Sequence, residues 1–220
     1  MSLTGWLEIE LAINIAGLAI SVFIGRFSYA GYTAIGSPNL LRLTLAFISI
    51  AAGFALIAGS LFLEPDAGRL VSTSGLAAQA VGYFFIAMSH GLKSSFDFAP
   101  KHGAALLIIP LAATPFVIPG NSIEHIIRSI SFILLVYVSI ETMASYMQSM
   151  RSSTLMIGSG LGTLAVAELI AWYDFIFPES FYYPAILAKV AGFGLMVIPF
   201  SKFGLGSDSS GGGGGIKVAE

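Results

Sequence analysis

The sequence predicts an all-α membrane protein: a bundle of seven transmembrane helices with the N-terminus outside and the C-terminus inside the cell. Hydrophobic residues make up 56% of its 220 residues and charged residues only 10%, whereas roughly 25% of a soluble domain is charged. So few charges cannot cover a soluble surface, and lipid must be part of the solvent. The apolar residues are also gathered into runs of about 20, the length of a helix that crosses a bilayer.

Seven apolar runs meet or approach that length. The first carries Glu8 and Glu10 and lacks the basic start and cleavage site of a secretory signal, so we interpret it as a membrane helix. The fourth is short, and its Pro110 and Pro115 predict a kink. Gly, Pro and polar residues separate the runs. The predicted segments are 6–25, 40–63, 73–92, 104–119, 126–148, 154–173 and 181–200.

The basic residues are unequally divided if these segments alternate across the membrane. The side of the N-terminus then has only Arg69 and Arg128, and the other side has seven basic residues. The positive-inside rule places the larger group in the cytoplasm, which predicts a multi-pass protein of the cell membrane. The seven residues are Arg26, Arg42, Lys93, Lys101, Arg151, Lys202 and Lys217.

The chain divides into a predicted transmembrane domain, residues 1–203, and a Gly/Ser-rich cytoplasmic tail, residues 204–220, whose composition predicts flexibility. We expect no soluble effector domain after the last segment. We therefore expect any output to pass through the bilayer or through a partner membrane or cytoplasmic protein. The net charge of -2 argues against a nucleic-acid partner, and the absence of cysteine excludes thiolate chemistry.

Two segments share a short pattern, AAGFALIAGS at 51–60 and AVGYFFIAMS at 80–89. These segments run in opposite directions, so the similarity is compatible with an inverted repeat. The alternative, which we favour, is that small residues recur wherever membrane helices pack closely.

Three charged residues lie away from the ends of the predicted membrane segments: Glu141, Glu168 and Lys189. An unpaired charge at this depth costs about 2.5 to 3.5 kcal/mol on insertion scales, so such residues are functional candidates. Segments six and seven are consecutive, which predicts a Glu168–Lys189 ion pair. Three interpretations remain open: a structural pair that fixes helix register, a functional pocket or relay, and a contact with another subunit.

Further polar residues recur at helical spacing in segments three and five. Segment five carries Tyr137, Glu141, Ser145 and Gln148 on one face. Segment three carries a similar series, ending at an inner histidine. Together they predict a polar intramembrane cluster, composed of Gln79, Tyr83, Tyr137, Glu141, Glu168 and Lys189.

The remaining motifs do not predict chemistry. Only His90 and His102 can meet at one depth, His125 lies at the other side, and no third ligand is in view, so no metal site is expected. The sequence GSGLG at 158–162 follows no strand and has the glycine spacing of close helix contact. Protease and esterase motifs are absent, so no enzyme is expected.

Residues 188–197, AKVAGFGLMV, resemble the retinal-bearing helix of the microbial rhodopsins, which share the seven crossings and the external N-terminus. The resemblance implies a retinal Schiff base on Lys189. Segment three, however, lacks that family's aspartate counter-ion and arginine and has only Gln79, Tyr83 and His90, and segment six lacks the tryptophan-proline pocket. We therefore expect no retinal and no other cofactor.

A broader pattern resembles the seven-helix membrane sensor modules that precede histidine kinases in prokaryotes. It spans LLRLTLAFISIAAGFALIAGS at 40–60 and LAAQAVGYFFIAMSHGLK at 76–93. The resemblance implies binding of a membrane-accessible ligand or sensing of the membrane state. We expect a non-enzymatic sensor or relay module that signals through a partner. The alternatives are an accessory subunit of a larger membrane complex and a small proton-coupled carrier.

Overall fold

A computed structural model describes residues 3–91, 122–173 and 181–205, and all six elements in these ranges are α-helices. Their bounds are α1 Leu3–Ile35, α2 Pro38–Ser60, α3 Pro65–Gly91, α4 Ser122–Ser149, α5 Ser152–Tyr173 and α6 Tyr182–Leu205.

The six helices coincide with predicted segments one, two, three, five, six and seven. The fourth segment, 104–119, lies outside the described residues, as does the tail from residue 206 onward. Five helices are long and apolar enough to cross a membrane, and α6 has a shorter apolar stretch, Tyr183–Pro199. The all-helical membrane class is therefore confirmed.

Two helices begin or end well beyond the predicted bounds. Helix α1 continues past residue 25 to Ile35, with Arg26 exposed and Ser28 buried. Helix α3 begins at Pro65, a favoured first helical residue, with Asp66 in the first turn. Arg69, expected in a loop, is therefore part of α3. Hydropathy underestimates the length of helices whose ends carry charged residues.

The helices form a closed ring in chain order, in which each packs against the next and α6 packs against α1. Large apolar side chains project from the outside of the ring, including Val22, Ile48, Leu70, Ile140 and Leu187. This outward apolar surface suits contact with lipid. The interior contains a continuous core in which Phe47, Phe54, Tyr83, Leu135 and Phe193 are fully buried.

Glycines bring two pairs of helices into backbone contact. A Cβ atom on Gly53 of α2 would lie 2.6 Å from the carbonyl oxygen of Gly75 in α3. A Cβ on Gly160 of α5 would lie 2.8 Å from the oxygen of Gly192 in α6. These distances leave no room for a side chain, so Gly53 of 51–60 and Gly160 of 158–162 serve close helix packing.

The turn between α1 and α2 has the same geometry as the turn between α4 and α5. Each contains a residue with positive φ, Gly36 at 72° and Met150 at 53°. The N–H of Gly36 donates to the oxygen of Tyr32, and the N–H of Met150 donates to that of Tyr146, both at 2.7 Å. The two tyrosines thus end α1 and α4 in the same way.

The packing of α2 on α3 recurs between α5 and α6. A Cβ on Gly82 would lie 2.5 Å from Ile50 Cγ1, and one on Gly192 would lie 2.8 Å from Leu164 Cγ. Ile50 and Leu164 are equally far along the chain from Gly36 and from Met150.

The described helices therefore form two similarly built three-helix units, which we interpret as repeats: the first repeat is α1–α3 and the second is α4–α6. The short similarity between 51–60 and 80–89 joins α2 to α3, which are not counterparts, so the repeat differs from the inverted one considered above. We align the two repeats by matching Gly36 with Met150 at the turns and Gly82 with Gly192 at the close helix contacts. Residues that this alignment matches are called counterparts. Those used below are Glu10 and Glu124, Asn14 and Arg128, Phe54 and Glu168, and Gln79 and Lys189.

Candidate functional site

Lys189 and Glu168 form an ion pair inside the ring. Lys189 Nζ lies 2.9 Å from Glu168 Oε1, and only 2% of the Glu168 side chain is exposed. The ammonium also donates to Gln79 Oε1 at 3.2 Å and lies 5.9 Å from the centre of the Phe54 ring. The contact therefore joins α5, α6 and α3, with an aromatic residue of α2 beside it.

A second cation, Arg128, reaches the same carboxylate. Its Nη1 lies 3.4 Å from Glu168 Oε2, and its Nη2 lies 3.1 Å from Glu124 Oε1 one turn away on α4. Both oxygens of Glu168 are thus paired, which compensates the cost of burying this charge. The result is a chain of charges, Glu124–Arg128–Glu168–Lys189, that spans α4, α5 and α6 and contains equal numbers of acidic and basic groups.

Two buried polar groups beside this chain have no hydrogen-bond partner among the described residues. They are the amide Nε2 of Gln79 and the hydroxyl of Tyr83 one turn further along α3, and both residues are 1% exposed. Unsatisfied buried groups carry a desolvation penalty. The position counterpart to Tyr83 in α6 is Phe193, which has no polar atom to satisfy.

The other predicted cluster residues lie apart from the ion pair. Glu141 is buried on α4, and Tyr137 lies one turn before it on the same helix. Within the described residues, no salt bridge joins Lys189 to Glu141. The six predicted residues therefore divide into two groups, with Gln79, Tyr83, Glu168 and Lys189 in one and Tyr137 and Glu141 in the other.

The side chains of His90 and Gln148 and the whole of His102 lie outside the described residues. His125 is buried on α4. No group of three His, Asp or Glu side chains with the arrangement of a metal site occurs among the residues that the structure describes.

A cavity of about 350 Å³ lies above the ion pair, at the end of the bundle where α1 begins. All six helices contribute to its wall. Its polar residues are Glu10, Asn14, Ser72, Glu124, Arg128 and Lys189. Exposed fractions of 18% for Arg128 and 17% for Lys189 show that water-sized space reaches both cations.

Four pairs of repeat counterparts line this cavity, which places it on the axis that relates the two repeats. Because Glu10 and Glu124 lie near the starts of α1 and α4 and face one cavity, the two repeats run in the same direction. The axis is therefore parallel to the bundle. The pairs are Glu10 and Glu124, Asn14 and Arg128, Ile57 and Ala171, and Leu76 and Ile186.

The surroundings of Lys189 match a free ammonium better than a retinal Schiff base. Its nitrogen has two protein acceptors, Glu168 Oε1 and Gln79 Oε1. A protonated Schiff base has a single N–H and can serve only one of them, whereas an ammonium has three donors. The residues around Lys189 thus do not fit retinal, the cofactor carried by the rhodopsin helix that residues 188–197 resemble.

Sequence reasoning missed the contribution of Arg128 and of the residues facing it across the cavity. Arg128 was assigned to the outer side of the membrane, near the start of segment five, but its long side chain reaches inward from α4 to Glu168. The i, i+4 spacing of Glu124 and Arg128 was a signal for an ion pair on a helix. Glu10 and Asn14 have the same spacing in α1, and this similarity was the available clue to the repeat.

These features define a helical membrane protein built from two parallel three-helix repeats, with a charged cavity on their common axis. Comparison with protein-family models, with curated proteins and with solved structures found no match to this chain.

Proposed function

We propose that the protein is a small-solute carrier, non-enzymatic, in the cell membrane, whose solute site is the cavity above Glu168 and Lys189. The observation that carries the proposal is the position of this cavity on the axis between two parallel repeats. In repeat-built transporters, the substrate and coupling-ion sites lie at the repeat interface, and one half rocks against the other.

The predicted orientation, with the N-terminus outside, agrees with this proposal. Helix α3 ends at the opposite end of the bundle from the start of α4, which supports an odd number of crossings in total. The cavity then faces the outside. The apolar core that includes Leu161 and Leu164 lies between the ion pair and the inside.

Glu168 is the residue we propose to couple solute to protons. Its side chain is 2% exposed and forms ion pairs with both Lys189 and Arg128. Protonation of its carboxylate would weaken both ion pairs at once and loosen the contacts of α5 with α4 and α6. A solute that disturbed Arg128 or Lys189 would act on the same contacts, so solute and proton would bias one rearrangement.

Single cysteines test alternating access directly, because the chain contains no native cysteine. Ala171→Cys lies in the cavity wall, and Ile157 lies about four turns further in on α5, packed against the core. We expect an impermeant thiol reagent to modify Ala171→Cys only from outside and Ile157→Cys only from inside. Adding Glu168→Gln is expected to change the two modification rates in opposite directions, one at Ala171→Cys and the other at Ile157→Cys.

The matched control is Val166→Cys on the same helix, because Val166 is half exposed on the outside of the ring and faces lipid. It should remain unmodified from both sides. If Ile157→Cys never reacts from inside while Ala171→Cys reacts from outside, the cavity does not alternate and the carrier proposal is wrong.

The second candidate is the sensor or relay module predicted from the sequence. One observation favours it: the charge chain and Gln79 connect α3, α4, α5 and α6, so a ligand in the cavity would reposition four helices. A static cavity in the labelling experiment, together with ligand-dependent contact to a partner protein, would support this candidate.

A further inference from the structure

The two repeats carry different residues at counterpart positions around the cavity. In the second repeat, Glu124 is neutralised by Arg128, one turn along the same helix. In the first repeat, Glu10 has the same position and spacing, but its neighbour one turn along is Asn14. The amide Nδ2 of Asn14 donates to the backbone oxygen of Glu10 at 2.9 Å, and it brings no positive charge.

Among the described residues around the cavity, the acidic side chains therefore outnumber the basic ones by one. Glu124, Arg128, Glu168 and Lys189 neutralise one another, whereas Glu10 has no ion pair among the described residues. Glu10 is partly buried and lines the cavity. A carboxylate in such a place is stabilised by a hydrogen-bonded cation.

We propose that the cavity binds a small organic monocation, whose charged nitrogen pairs with Glu10 as the guanidinium of Arg128 pairs with Glu124. This inference rests on the proposed function, because it takes the cavity as the solute site. The carbonyl oxygen of Asn14 and the hydroxyl of Ser72 supply further acceptors. The apolar part of the ligand packs against Ile13, Ile57 and Leu76.

The chemistry of the wall disfavours the other simple ligand classes. An anion would have to displace Glu168 or Glu124 from cations that are already paired. A divalent metal ion prefers several oxygen ligands, about six to eight for calcium, and the described residues contain no cluster of three acidic or histidine side chains. A volume of about 350 Å³ suits a small ligand.

The test measures the thermal unfolding midpoint of the full chain in mild detergent with n-butylammonium, butyrate or 1-butanol as probes. These three compounds share an alkyl chain and differ in charge. A ligand that binds the folded state raises the midpoint with its concentration. We expect n-butylammonium to raise the midpoint and the other two to leave it unchanged.

Two variants locate the site. Glu10→Gln should weaken n-butylammonium binding by about tenfold or more, because a charge-assisted hydrogen bond is lost. Asn14→Arg should raise the midpoint without ligand and abolish the shift, because the new guanidinium occupies the proposed cation position. The control, Glu8→Gln, removes an exposed carboxylate of α1 outside the cavity and should bind as the wild type does.

Equal shifts with n-butylammonium and 1-butanol, or unchanged binding to Glu10→Gln, would overturn the inference. If Glu10→Gln does not fold, an unchanged ligand shift in Asn14→Arg would overturn it as well. The inference and the carrier proposal fail separately. Cation binding without alternating cysteine labelling leaves a cation-binding sensor, whereas alternating labelling without a cation-specific shift leaves a carrier of another solute.

Discussion

Gln79 and Lys189 occupy the same position in the two repeats and are hydrogen-bonded to each other, with 3.2 Å between Lys189 Nζ and Gln79 Oε1. Counterpart residues touch only where they lie close to the axis that relates them. This contact therefore marks the point at which the axis passes through the base of the cavity. One repeat supplies a charge there, and the other supplies a neutral amide.

The ion pair on this axis is expected to stabilise the fold. Lys189→Met should lower the free energy of unfolding by about 3 kcal/mol, because breaking a buried pair leaves Glu168 with Arg128 as its remaining cation. Adding Glu168→Gln to Lys189→Met should restore part of the loss. Denaturant titration of the four forms in detergent gives the coupling energy.

Arg69→Met is the matched control for this cycle, since Arg69 is exposed and forms no ion pair among the described residues. It should change the free energy of unfolding by less than about 0.5 kcal/mol. Strictly additive losses for Lys189→Met and Glu168→Gln would show that the two side chains do not stabilise each other.

The hydroxyl of Tyr83, which has no partner in the described part of the chain, predicts an unusual response to mutation. Tyr83→Phe removes a buried polar atom and matches the counterpart position, where Phe193 already stands. We expect the free energy of unfolding to rise by about 1 kcal/mol. Tyr137→Phe, which removes a hydroxyl that interacts with Glu141, should lower it by a similar amount. A clear loss of stability in Tyr83→Phe would indicate that a bound water or ligand satisfies its hydroxyl.

The distances around the glycines predict which Gly→Ala substitutions lower the stability of the fold and which do not. Gly82→Ala and Gly192→Ala should each cost about 1 to 3 kcal/mol, because their Cβ atoms would lie within 3 Å of atoms in the facing helix. Gly59→Ala and Gly194→Ala are the controls, one in each repeat, since nothing lies within 4 Å of the added atom.

Thermal unfolding midpoints of the four glycine variants check this prediction. The two counterparts, Gly82 and Gly192, should show losses of similar size. A large loss in one of them and none in the other would contradict the proposed registration of the repeats.

The sequence predicted the helices because hydropathy and helix length are properties of a single segment. It also predicted that Glu168 faces Lys189, because two isolated charges on consecutive helices have few other partners. The side chain of Arg128 was harder to place, since an arginine near a helix end can point to water or inward. Only the packing against α5 decides between these directions.

The repeat was hidden for a different reason. Its counterparts include Phe54 with Glu168 and Gln79 with Lys189, pairs that have no chemical similarity. What the repeats share is the geometry of a turn and the absence of side chains at close helix contacts. Residue identity alone therefore indicates the similar small residues of α2 and α3 instead of the true counterparts.

The symmetry of the site predicts that its charges can be duplicated across the axis. Gln79→Lys alone places a second ammonium beside Lys189 with a single carboxylate between them, and we expect a loss of about 2 to 3 kcal/mol of unfolding free energy. Adding Phe54→Glu supplies a carboxylate at the counterpart of Glu168. The double variant should then recover at least about 1 kcal/mol relative to the sum of the single changes.

Val81→Lys with Phe54→Glu is the control for that recovery, because Val81 is exposed on the opposite face of α3. This pair should show no coupling, since the new lysine is directed away from the axis. Denaturant titration of both sets measures the two coupling energies. Recovery confined to Gln79→Lys with Phe54→Glu requires Phe54 and Gln79 to face each other as Glu168 and Lys189 do. Equal coupling in both sets would mean that the carboxylate acts through general charge balance, and the counterpart relationship would then have no structural meaning.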